Sequence, residues 1–313
     1  MTPELLSNHL ELLLVLAVIA LERWLPLLSW YHPFTLVQLG FNNLAKRTYH
    51  ASASKTYLLM ASVLSIFICV LVPLVLISLF SQLVYYPELL GAFLLYLSLS
   101  ANPLQNKAKR IRQALKQHRK SLARAILATI TVRETAKLTE AGIAKATIES
   151  LVLRMLREYF SPLLLFCIFG AHAAFAYTLL WHLHQAMRQM AAPDSAYLVA
   201  SKWLLALCQA PALILYLLPL LFTKYALEIL RFIKVYGQHF YHRSSGLVLC
   251  FFSARLQVQL GGPAFYNNVR HNRMRVSLHR QPNADDISVA LKTVEQVNAL
   301  WILAICAGYL ITS

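Results

Sequence analysis

Residues 57–80 run YLLMASVLSIFICVLVPLVLISLF without a charged side chain. A run of about 20 apolar residues is what the hydrocarbon core of a bilayer demands. In lipid every backbone polar group must be satisfied within the protein, so a segment like this one is helical. Two more runs, 163–183 and 204–222, are equally free of Asp, Glu, Lys and Arg. Residues 5–21, 84–100 and 297–311 are weaker candidates, each short or carrying a Glu near one end. The pattern predicts an all-α fold: a polytopic helical membrane protein of about six spans, with two large helical cytoplasmic segments. Residues 1–313 read as a single integral membrane domain.

Charge distribution fits that count. The chain is 58% hydrophobic and 13% charged, with a formal net charge of +16. A soluble nucleic-acid-binding protein would not have these apolar runs, so nucleic acid is excluded as a partner and the basic residues report topology. They fall in three segments, about 23–56, 101–162 and 223–298. The second has thirteen Lys or Arg against four Glu, and the third has ten against four acids. The intervening loops hold almost none. Basic loops stay in the cytoplasm, which predicts a multi-pass protein of a bacterial inner membrane, with both termini outside and the lipid bilayer as a partner. The first apolar run follows Glu4 and Glu11 and no basic stretch, so it reads as an uncleaved span.

The five cysteines form no CxxC pair and read as packing residues, with no zinc or disulfide framework. A transporter would commonly keep a charge in mid-span, and none is present in the three strong runs.

Two cytoplasmic helices are expected before residue 163. In the first, Leu104, Ala108, Ile111, Leu115, Leu122 and Ile126 recur near a 3.6 period. Its basic face suits anionic lipid or, alternatively, an anionic substrate such as a nucleotide. The second begins at Thr139, a good N-cap, with Glu140 in its first turn. Its apolar pairs, from Ile143–Ala144 (143–144) through 147–148, 151–152 and 155–156 to 159–160, form a stripe. Lys145, Glu149, Arg154 and Glu158 are expected on its polar face, and Pro162 marks the boundary with the next span. Residues 224–243 are basic and aromatic, either an interfacial helix or a prolonged span. Gly261, Gly262 and Pro263 predict a turn, and 271–280 a loop. His182 and His184, at i,i+2, point to different sides of a helix and read as interfacial.

Taken together, these motifs resemble a family. His32-Pro33, the Arg133-Glu134-Thr135 set, Glu140-Ala141-Gly142-Ile143, Glu149-Ser150, Leu260-Gly261-Gly262-Pro263 with Tyr266, and Asp286-Ile287 occur in the order found in the CobD/CbiB membrane proteins of cobalamin biosynthesis. The resemblance runs from about Leu12 to the C-terminus. It implies ATP-dependent amide formation between a corrinoid substrate, adenosylcobyric acid, and aminopropanol or its phosphate, giving adenosylcobinamide or its phosphate. ATP and Mg2+ are the cofactors implied for an active enzyme. By analogy, Glu134 and Glu149 are catalytic candidates for metal or amine contacts. Arg133, Gly261, Gly262 and Tyr266 are substrate-binding candidates, Arg133 toward phosphate. No metal-ligand set is assigned, and homo-oligomerisation is left open.

Two motifs depart from the family. Leu153, Arg154, Arg157 and Glu158 stand where it has Glu, Asn, Asp and Gly. Trp181, His182, Leu183 and His184 replace its Asn-Thr-Leu-Asp. Arginines cannot hold magnesium. The Arg157, Tyr159, Pro162 and Leu163 pattern is similar to the related AmpE-type inner-membrane proteins, whose non-catalytic regulatory or scaffold role is the alternative reading.

Overall fold

A computed structural model describes residues 3–25, 33–131, 133–192, 194–240, 243–266, 269–271, 273–277 and 279–312. His32 lies outside them. The helices are α1 (Pro3–Trp24), α2 (Pro33–Thr48), α3 (Lys55–Ile66), α4 (Val72–Ser81), α5 (Pro87–Ser98), α6 (Asn102–Lys116) and α7 (Lys120–Ala128). They continue as α8 (Glu140–Met155), α9 (Ser161–Phe169), α10 (Ala171–Met190), α11 (Val199–Leu221), α12 (Ala226–Tyr236), α13 (Arg243–Leu256) and α14 (Ala284–Thr312). Four short strands are β1 (Leu260–Gly261), β2 (Ala264–Tyr266), β3 (Val269–His271) and β4 (Arg275–Val276). The protein is an all-α membrane protein. Three of its described helical stretches are long and apolar enough to cross a bilayer: Lys55–Ser81, Ala196–Leu221 and Ala284–Tyr309.

The chain divides into two compact units. The first comprises Met1–Ser100, Glu158–Ala212 and Cys306–Ser313. In it α10 packs against α2, α5 and α9, and α1 against α5. Phe34 and Phe41 of α2, Leu58 of α3, and Leu179, Leu183 and Met187 of α10 share one core with Tyr197. The Tyr197 hydroxyl meets Thr48 Oγ1 at 2.7 Å. No residue of α4 is buried, and Val75, Leu76, Leu79 and Phe80 are all exposed. So large an apolar surface needs a nonaqueous neighbour, and lipid supplies one.

Two prolines act on the helical path in the same way. A π turn, Phe67–Leu71, precedes Pro73, and another, Leu156–Phe160, precedes Pro162. A proline ring clashes with the carbonyl four residues back and offers it no N–H, and a widened turn relieves the clash. Pro162 thus lies at the expected boundary, in the first turn of α9 where the π turn ends. The carbonyl deprived of its partner is that of Glu158, and it accepts the Ser100 N–H at 3.1 Å.

The expected span 163–183 is broken. Gly170 has φ 80° and ψ −175°, separating the 9-residue α9 from the 20-residue α10. This backbone region is open essentially to glycine alone. The expected span 84–100 yields only the 12 residues of α5, about 18 Å of helix against about 30 Å of hydrocarbon. The six-span count is not confirmed. His182 and His184 do face different elements, each with a partner inside the unit. His182 Nδ1 lies 2.9 Å from Gln38 Oε1, and its ring stacks on Phe34. His184 is buried, 2.8 Å from Ser201 Oγ.

The second unit comprises Ala101–Arg157 and Leu213–Ile305. Here α6 packs on α7 and α8, while α13 packs on α8, α12 and β1. The apolar face of α6 is as expected: Leu104, Ala108, Ile111 and Leu115 are buried. Beyond it the phase changes. His118 adopts φ 56° and breaks the helix, so α7 buries Ala123 and Leu127 while Leu122 is exposed. Residues 224–243 contain a separate helix, α12, which buries Ile229 and Phe232 and exposes Leu227, Leu230 and Val235. Between α11 and α14, Trp301 Nε1 donates to the Leu215 carbonyl at 2.9 Å. At the start of α14, Asn283 Oδ1 accepts the Asp286 N–H and Asp286 Oδ2 accepts the Asn283 N–H, a reciprocal cap. Arg280 makes a two-pronged bond to the same Asp286.

Candidate active site

The site lies wholly in the second unit, on α8 and the segment from β1 to β4. Thr139 caps α8 as expected, its Oγ1 accepting the Gly142 N–H at 3.1 Å. The paired apolar residues from 143–144 to 159–160 give α8 and the following turn an inward stripe. Ile143, Ala144, Ile148, Leu151, Val152 and Met155 are buried.

Glu149 departs from expectation. It is not on a solvated polar face but buried, with its side chain 6% exposed. Every polar contact it makes is to a distant part of the chain. Oε1 accepts the Gly261 N–H at 2.8 Å. Oε2 accepts from Arg273 Nη2 at 2.9 Å and pairs with Arg133 Nη1 at 3.5 Å. Burial alone would raise the carboxyl's pKa. The Arg273 and Arg133 guanidiniums overcome that and hold it below the usual carboxylate range. Glu149 is therefore an anion, with both oxygens already engaged.

Arg133 is the early anchor of the site. It is buried, and its Nη2 donates to the Gly142 carbonyl in the first turn of α8 at 2.9 Å. Glu134, next along the same loop, is exposed.

The glycine turn is built by β1 pairing with β4, Leu260 opposite Val276 and Gly261 opposite Arg275. Gly261 has φ 73° and Gly262 φ 93°. A Cβ on Gly261 would stand 2.4 Å from the Met274 carbonyl oxygen, so no larger residue fits. Both N–H groups of the turn are committed within the protein: Gly261's to Glu149, and Gly262's to the Met274 carbonyl at 2.9 Å. The Gly262 carbonyl accepts from Arg273 Nε at 3.2 Å. Tyr266 ends β2, its backbone paired with Val269 in a short hairpin.

Residues 271–280 are not the simple loop expected, because they contain β4 and deliver Arg273 and Arg275. Those two and Lys145 complete the site and went unassigned in the sequence. Lys145 gave one signal, its i,i+4 spacing to Glu149. Arg273 gave none beyond lying in a basic run. Burial lowers the pKa of Lys145, Glu149 opposes that, and Arg133, Arg275 and Arg273 add to it. Arg273, Arg133 and Lys145 thus act on one carboxylate, with Arg275 near Lys145.

The positions read from the resemblance as departures hold structural contacts. Arg154 donates to the Ile130 carbonyl at 3.3 Å, and Arg157 to Ser245 Oγ at 2.8 Å. Glu158 accepts from Trp181 Nε1 at 3.4 Å. Among the described residues no three His, Cys, Asp or Glu side chains lie together in a group able to hold a metal ion.

Fold and site together describe a helical membrane protein with a buried anionic carboxylate inside a cationic cluster. The family described as CobD/Cbib protein matches residues 14–294, which include every residue of that cluster. The cobalamin biosynthesis protein CobD of Chromobacterium violaceum is 30% identical over 224 residues, 70% of each chain. Its namesake from Stutzerimonas stutzeri is 28% identical over 221 residues, 69% of this chain and 71% of that one. No solved structure matches. The chain belongs to the CobD/CbiB family.

Proposed function

We propose that this chain is an ATP-dependent ligase that joins aminopropanol or its phosphate to the carboxylate of adenosylcobyric acid as an amide. The observation that carries the reading is the charge of the site. Lys145, Arg133 and Arg273 share a single carboxylate, Glu149, and Arg275 adds a fourth cation beside Lys145. Such an excess is costly to assemble without an anionic ligand and suits phosphorylated substrates and the charge that develops on a phosphoryl group.

ATP would supply the leaving group that activates the corrinoid carboxylate toward the amine. The chain's own residues attract and orient the anionic groups. Glu149 holds Arg273 and the glycine turn in register, and the closed turn keeps the Gly261 and Gly262 N–H groups away from water. Magnesium prefers hard oxygen ligands. With Glu149's oxygens engaged and no three-ligand group among the described residues, the site does not fit a metal held by the protein. In this reading the protein is a multi-pass protein of a bacterial inner membrane, with its basic segments in the cytoplasm.

The test is genetic. The gene, expressed well in a corrinoid-dependent host lacking its CobD/CbiB protein, restores adenosylcobinamide synthesis if the reading is right. Absence of rescue at good expression sinks it.

A second reading, a non-catalytic regulator or scaffold of the AmpE type, is favoured by one observation. Arg154 and Arg157, standing where the family has Asn and Asp, serve as tethers to Ile130 and Ser245. Magnesium-dependent ATP binding by the purified protein would count against it.

A further inference from the structure

Lys145 and Arg275 are left over from the network around Glu149. Arg133 and Arg273 are both bonded to that carboxylate and to backbone carbonyls. The Lys145 ammonium, half-buried one helical turn before Glu149, has no hydrogen bond or ion pair among the described residues. The same is true of the Arg275 guanidinium on β4, which is exposed. Both nevertheless converge on one point. A Cβ built on Gly262 would lie 3.3 Å from Lys145 Nζ, 3.1 Å from Arg275 Cγ and 3.5 Å from Arg275 Nε. Gly262's missing side chain is what lets a lysine from α8 and an arginine from β4 approach the same stretch of main chain.

Like charges do not gather without a reason. Lys145 is partly desolvated beside three guanidiniums, and Glu149, the one carboxylate acting on it, is already shared by two of them. Satisfying Lys145 and Arg275 takes an anion with several acceptor oxygens, placed over Gly262. A phosphoryl group offers them in a geometry that an ammonium and a guanidinium can both reach.

We propose that Lys145 and Arg275, brought together over Gly262, form a binding cradle for the phosphate group of a soluble substrate. This deepens the ligase reading by naming the residues that hold phosphate, and it assigns Glu149 and Arg133 to positioning the turn. Neither glycine N–H takes part, since both are used internally.

The experiment uses the full chain, purified in detergent, with inorganic pyrophosphate as probe. Wild type binds it and melts at a higher temperature in its presence. Lys145→Gln and Arg275→Gln each weaken binding at least roughly tenfold, the loss of one charge-assisted hydrogen bond. Without pyrophosphate, Lys145→Gln melts no lower than wild type, because the substitution removes an unpaired cation. That opposite movement separates a binding role from a structural one. Pyrophosphate affinity unchanged in Lys145→Gln, or absent in wild type, overturns the proposal.

A second arm compares nanodiscs of phosphatidylcholine and phosphatidylglycerol. Pyrophosphate binding in both supports a soluble ligand. Binding abolished by phosphatidylglycerol makes the cradle a headgroup site and overturns the assignment. Failed genetic rescue with pyrophosphate binding intact removes the ligase reading and leaves the cradle. Rescue with no pyrophosphate binding does the reverse.

Discussion

Glu149 and Gly261 stand 112 positions apart and are joined by a 2.8 Å hydrogen bond from the glycine N–H to the carboxylate. The bond ties α8 to the β1 turn, and the same carboxylate anchors Arg133 and Arg273. Removing it leaves four cations facing one another. Glu149→Ala is expected to cost about 3–5 kcal/mol, as for other broken buried ion pairs. The loss is read as a lowered melting temperature in detergent. Adding Lys145→Gln to that variant recovers part of it, because the two side chains act in one network.

The acid side of the stability profile follows from the same pair. The folded carboxyl of Glu149 is held below its unfolded range by Arg273 and Arg133 against the opposing effect of burial. A carboxylate so shifted stabilises fully above the ordinary carboxylate range and loses that contribution as pH falls through the folded value. Melting temperature measured from neutral pH downward therefore drops more steeply in wild type than in Glu149→Gln. Parallel profiles would show that the carboxylate is not the linked group.

Two glycines with positive φ separate backbone strain from crowding. Gly170 has open space around its missing Cβ, so Gly170→Ala carries only the backbone cost, about 1–3 kcal/mol. Gly261→Ala carries a similar strain and also drives a methyl to 2.4 Å from the Met274 carbonyl oxygen. It should be the more damaging, and pyrophosphate binding should fall with it. Gly170→Ala should leave that binding unchanged once the protein is folded.

The cap of α8 is a purely local test. Thr139→Ala loses the bond from the Gly142 N–H and is expected to cost about 1 kcal/mol, while Thr139→Ser retains most of it. Equal melting of both variants would refute the capping role.

The start of α8 and its inward stripe could be read in the sequence because both depend on near neighbours. A cap acts over three residues, and the 3.6 period over one or two turns. The same reasoning failed where something distant or torsional intervened. Gly170 sits inside an uninterrupted apolar run, and composition does not register a φ of 80°. The periodicity of α6 carries through His118 onto Leu122 in the sequence, although one left-handed residue resets the phase. Glu149 sat plausibly on a polar face by its spacing to Lys145. Its burial depends on Arg273 and Gly261, which nothing local announces. The late basic run gave no hint that Arg273 and Arg275 divide the work, one binding the carboxylate and the other left for a ligand.

The separation between Glu149 and Gly261 also sets a timetable. At about 5–20 residues per second, a ribosome makes the glycine roughly 6–22 s after the glutamate. Through that interval α8 exists with Arg133 and Lys145 beside it, while the β1 turn and Arg273 have yet to be made. The nascent carboxylate cannot be sealed inside the protein and must remain hydrated. Maturation of this half of the molecule is therefore a late event in its biogenesis. A chain interrupted before residue 261 would present a half-built, water-exposed α8 to the proteases of the cell.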